Sequence, residues 1–137
     1  MKNILTLLLS LVVIGVSFQS NASSTPPDST ANIWDKAGAG IAISEGKNLF
    51  HQGNTRGALI KFRESLAKYK HSSNANYWIA ECQYKLHSYG ISLKYCNIAI
   101  ELNPKLNKDI YVLRGQADHR MGKLDSALIA LEKAKEM

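Results

Sequence analysis

From about Trp34 onward, apolar side chains return every third or fourth position, the period of a helix that buries one face. Where the period breaks, polar residues and glycines gather, and these breaks divide the stretch into helices expected over 36–51, 55–69, 73–86, 89–102, 108–121 and 124–136. The pattern before Trp34 is different in kind. A short positive start, Met1-Lys2-Asn3, leads into an apolar run from Ile4 to Phe18, and Ser23 to Thr30 then collects Ser, Thr, Pro and Asp.

The helical stretch repeats itself. Gly46, Ala80 and Gly115 stand 34 and 35 residues apart, each in the middle of an amphipathic segment. Twelve residues after each comes another small residue, Ala58, Ser92 and Ala127, followed four residues later by Phe62, Cys96 and Leu131. Three more residues bring Ser65, Ala99 and Ala134, and the chain turns at Gly53-Asn54, His87-Ser88 and Gly122-Lys123. This spacing predicts pairs of antiparallel helices. Small residues let the two backbones cross closely, and the residue one turn further plugs the gap.

That register resembles the tetratricopeptide repeat (TPR), a helix-turn-helix unit of roughly 34 residues with small and aromatic residues at fixed places and a closing Pro. The likeness covers about residues 39–137, as repeats over about 39–72, 73–106 and 108–137. Glu45 to Gly53 matches the first helix and turn, Ile98 to Pro104 closes the second repeat, and Tyr111 opens the third. Asn76 departs from the pattern, since the family usually has an aromatic there, although Trp78 lies nearby. The resemblance implies an all-α fold, a right-handed α-solenoid of about three TPR units within residues 36–137.

It also implies a concave groove lined by the first helix of each repeat, where such proteins hold an extended peptide or a partner's helix. Carried over position by position, the groove residues are Ile43, Lys47, Phe50 and His51, then Tyr77, Glu81, Tyr84 and Lys85, and finally Val112, Gln116, His119 and Arg120. Aromatic rings supply contact area and the bases can hold a carboxylate, so the expected partner segment is apolar and acidic. One subtype fits poorly. Repeats that clamp the acidic tails of chaperones use a set of Lys, Asn and Arg, whereas the corresponding places here hold Ile43, Lys47, Trp78, Asp109 and Leu113.

The N-terminal run is too short to cross a bilayer, which takes roughly 20 apolar residues, and it has the form of a secretory signal peptide over residues 1–22. Ser20 and Ala22 are the small residues that signal peptidase accepts, so cleavage is expected after Ala22, with residues 23–35 as a flexible linker. The mature protein would be exported, periplasmic or secreted; membrane association is expected only if the signal is not cut. A lipid anchor is not expected, because no Cys follows the cleavage site. Export makes Cys82 and Cys96 candidates for a disulfide. The crossing of Ala80 with Ser92 offsets them by six helical residues, about 9 Å, which exceeds the roughly 4.4–6.8 Å a bridge allows, so free buried thiols are expected.

A net charge of +6 is mild, and bases alternate with acids along the helices, so no nucleic-acid partner is expected. His51, His71, His87 and His119 lack metal-site spacing, no Gly-rich phosphate loop is present, and Ser92 and Ser126 have no nucleophile elbow. No cofactor, metal or enzymatic activity is therefore expected. The Lys and Glu residues of the last helix are expected to make it polar enough to cap the stack, the alternative being that its apolar stripe docks on a second copy, as in a homodimer, or on another subunit. The sequence points to an exported protein-interaction module that binds a peptide or helix of a cell-envelope partner; the alternative is a structural subunit assembling through its terminal helix.

Overall fold

The computed structural model describes residues 29–137, with side chains from residue 33; the expected signal peptide and residues 23–28 of the expected linker lie outside these residues. Six helices follow one another: α1 (Ser29–His51), α2 (Thr55–Lys68), α3 (Ser73–Lys85), α4 (Tyr89–Leu102), α5 (Asp109–Arg120) and α6 (Leu124–Glu136). Five match the expected segments closely. α1 begins at Ser29 instead of position 36, inside the stretch expected to be a tether. Ile33 and Trp34 are exposed there, so these first turns add no burial, and extending a helix that is already nucleated costs little. No described helix is long and apolar enough to cross a membrane.

Each pair closes through the same turn. Gly53, His87 and Gly122 all take positive φ, of 82°, 59° and 74°. The next amide then reaches back five residues in every case, Asn54 N–H to Leu49, Ser88 N–H to Gln83 and Lys123 N–H to Asp118, at 2.8–2.9 Å. His87 does without glycine in this conformation, and its ring Nδ1 lies 2.9 Å from the Tyr89 hydroxyl.

Within each pair the small residues meet as the spacing predicts. A Cβ placed on Gly46 would lie 2.5 Å from the Phe62 ring, and one on Gly115 would lie 2.8 Å from Leu131. At the second crossing the Ser92 hydroxyl donates to the Ala80 carbonyl at 2.9 Å, so this hairpin is tied by a hydrogen bond as well as by packing. One core cluster gathers Phe50, Ala58, Leu59, Phe62, Ile79 and Cys82, and a second gathers Tyr77, Ala80, Cys96, Ala99, Ile110 and Leu113 with their neighbours. Every cluster spans more than one repeat, as a stacked solenoid requires.

Cys82 and Cys96 are unpaired and buried. Burial pushes both thiols up, from an ordinary 9.0 to about 12. The unfolded chain therefore ionises first, and the stability these thiols carry is full below about pH 9 and is lost as pH rises toward 12. Urea unfolding at about pH 8 and about pH 11 is expected to show this loss, and a Cys82→Ala, Cys96→Ala variant to show less of it. Both thiols should resist alkylation in the folded protein and react once it is unfolded.

Candidate functional site

The first helices of the pairs touch one another, α1 against α3 and α3 against α5, whereas no contact joins α2 to α4 or α4 to α6. Helices that crowd on one side and splay on the other bend the stack, which places α1, α3 and α5 on the concave wall. The expected groove residues come from these helices.

Trp78 is the centre of that wall. Its ring stacks on Phe62 at 5.7 Å and meets the edges of Phe50, Tyr77 and His51 at 5.5, 5.3 and 6.2 Å. Lys47 lays its ammonium over the same ring at 5.3 Å, and Lys85 sits 4.3 Å from the centre of Phe50. A cation held against an aromatic face gains about 0.5–1 kcal/mol at an exposed site while keeping its other side in water. Further along, Arg120 Nε donates to the Tyr84 hydroxyl at 3.5 Å, which bridges α3 and α5. Among the described residues, none of Lys47, Lys85 and Arg120 forms a salt bridge; the ion pairs lie elsewhere, such as Lys61 with Glu45 at 2.7 Å.

Glu81 is the acidic residue among the expected groove contacts. Glu81 accepts a 2.7 Å hydrogen bond from the Tyr77 hydroxyl. Burial holds the Glu81 carboxyl above the usual carboxylate range, with Asp109 adding to the shift while the Tyr77 bond and Lys85 oppose it. Burial also pushes the Tyr77 phenol up, and Glu81 adds to it.

The expected site residues thus divide. Lys47, His51, Tyr84, Lys85 and Arg120 offer exposed or half-exposed surface on the wall. Phe50 and Tyr77 do not: at 8% and 7% exposure they are packing residues, so their expected role as contact surfaces is corrected. Phe50 is covered by Trp78 and Lys85, and Tyr77 is buried among Ala80, Ile110 and Tyr111. Gln116 and His119 line a hollow shared with α6, together with Tyr84, Arg120, Gly115, Ala127 and Leu131. Ile43 and Val112 pack at the margins of the two core clusters. Trp78 was absent from the expected groove contacts because its place, one of those compared with the tail-clamping subtype, counted only against that subtype. The aromatic position it stands beside is taken by Asn76, buried and satisfied by donating to the Ser72 carbonyl at 2.8 Å.

No protein-family model and no curated protein matches the sequence. Solved structures do. The first TPR domain of Spaghetti (RPAP3), bound to an HSP90 peptide SRMEEVD, superposes with a TM-score of 0.71 at 22% identity, covering 74% of this chain and 79% of that one. The fold is that of a TPR domain. The TPR2B domain of yeast Sti1, solved in a complex with an Hsp70 peptide, is similar at TM-score 0.68 and 26% identity over 72% of this chain and 78% of that one. The translocator chaperone SycD of the Yersinia enterocolitica type III secretion system matches at TM-score 0.68 and 15% identity, over 73% and 75% of the two chains. The TPR architecture explains why the wall is built from first helices, and it leaves the chemistry of the groove to the side chains already described. Among the described residues, no group of three or more His, Cys, Asp or Glu is placed to hold a metal ion.

Proposed function

We propose that this protein is an exported TPR interaction module that captures an apolar, acidic peptide or helix of a cell-envelope partner in its concave groove. The observation that carries this reading is the set of Lys47, Lys85 and Arg120, held on aromatic neighbours and engaged in none of the salt bridges among the described residues. A carboxylate brought by a partner would meet preorganised cations beside rings that bury its apolar neighbours. The fold supports the reading, because the RPAP3 and Sti1 domains were solved with peptides bound. A chaperone tail is not the ligand expected here, since Ile43, Trp78, Asp109 and Leu113 stand where the tail-clamping subtype has polar or basic side chains. Export rests on the signal-like residues 1–22, and the envelope location of the partner follows from it.

A pull-down from envelope extract with residues 23–137 tests the proposal, run beside a Tyr84→Ala, Lys85→Ala, Arg120→Glu variant checked for intact helicity. A partner retained by the natural protein and lost by the variant supports groove capture. Equal retention by both overturns it.

A further inference from the structure

Leu124, Leu128 and Leu131 lie exposed along α6, which corrects the expectation that this helix caps the stack with a polar face. The side chains that discriminate among partners lie in the groove. By the repeat register, Lys47, Glu81 and Gln116 occupy one place on the first helices, and His51, Lys85 and Arg120 occupy the place one turn later. Residues four apart share a helix face, so the wall carries two rows of three across α1, α3 and α5. The later row is basic throughout. The earlier row changes from a base to an acid to an amide, so a segment that is acidic along its whole length would meet a like charge at the middle helix.

Glu81 is only partly buried, and its Oε1 accepts the Tyr77 hydroxyl at 2.7 Å. That bond is local to α3, and a hydroxyl brings no charge. Glu81 takes part in no salt bridge among the described residues; Lys85, one turn further on, sits 4.3 Å from the centre of the Phe50 ring instead. Burial first, and Asp109 at the start of α5 in addition, hold the carboxyl above the usual carboxylate range against the opposing pull of the Tyr77 bond and Lys85. The carboxylate is therefore partly desolvated and short of a counter-charge. An apolar segment laid over it would strip its remaining water and leave the charge unpaired, which is costly, whereas a cation carried by the segment would offset that cost.

The spacing follows from the geometry of the wall. Packed helices lie about 8–10 Å apart, and an extended segment in polyproline II form returns to the same face every three residues, roughly 9 Å further along. We propose that the captured segment carries a Lys or Arg that pairs with Glu81, set three residues from an acid that meets Lys47 and three residues, on the other side, from an acid that meets Arg120. The order acid, base, acid rests on the groove-capture reading and makes Glu81 the residue that sets specificity within it.

A random peptide library, selected in parallel on residues 23–137, which hold all six helices, and on their Glu81→Gln variant, tests this pairing. Gln keeps an oxygen to accept from Tyr77 and removes only the charge. Peptides enriched on the natural protein should carry Lys or Arg three residues from Asp or Glu, and those enriched on the variant should keep the acids and lose the base. In a selected peptide, replacing the base by Gln should weaken binding to the natural protein at least about tenfold and change binding to the variant less than about twofold. Acidic peptides enriched on the natural protein without a base at a fixed place overturn the proposal and leave groove capture standing. Equal weakening on both proteins also overturns it, since the base then pairs elsewhere. Absence of any acidic enrichment overturns groove capture itself, and the pairing with it.

Discussion

Replacing Phe62 by Ala is expected to remove about 3–5 kcal/mol of stability, since the ring is fully buried and its loss leaves a cavity as well as lost contacts. That is a large share of the about 5–15 kcal/mol typical of a small domain. In a domain of this size it corresponds to a fall in melting temperature of at least about 12 °C, read by circular dichroism. The same ring makes a second expectation precise in sign. Gly46→Val should destabilise by about 1–3 kcal/mol or more, because even a Cβ would come 2.5 Å from Phe62. Combined with Phe62→Ala, the added methyls find space, so the double variant should lose less than the sum of the single losses. Strict additivity would mean that these two residues do not meet at the hairpin crossing.

Trp78→Ala is expected to cost about 3 kcal/mol, at the low end for a large aromatic because the ring is only partly buried. Its consequences reach further than stability. The ring is at once the lid on Phe62 and the platform under Lys47, so its loss opens the first core cluster and frees a groove cation together. Trp78→Phe keeps an aromatic face and should lose roughly half as much stability while retaining partner capture. Thermal unfolding and capture measured on both variants check this. Equal behaviour of Ala and Phe at this position would deny the ring its double role.

Most of the fold was legible because the repeat multiplies weak signals. A single Gly or Ala in a helix says little, but Gly46, Ala80 and Gly115 in register fix where the hairpins cross, and the left-handed turns at Gly53, His87 and Gly122 follow from the same count. His87 shows that register can place a turn where composition alone would not. The start of α1 was not legible, since Ser29 and Thr30 belong by composition to a linker and are helical only by extension of the segment after them.

The groove was legible in outline and misjudged in depth. Register places a residue on a face, but it does not say how far a neighbour covers it. Phe50 and Tyr77 stand at groove positions and are buried, because Trp78, one helix or one residue away, leans across the wall. Exposure of Leu124, Leu128 and Leu131 was hidden for the complementary reason: their spacing is that of a core stripe, and only the stacking order shows that no described helix lies against them.

Selection from a random peptide library tests most directly whether the groove captures an apolar, acidic segment. Run in parallel on residues 23–137 and on their Lys47→Glu, Lys85→Glu, Arg120→Glu variant, it should enrich peptides carrying Asp or Glu beside aromatic or aliphatic residues on the natural protein alone. Recovery of the same peptides on both, or of basic peptides on the natural protein, would contradict capture by the groove cations.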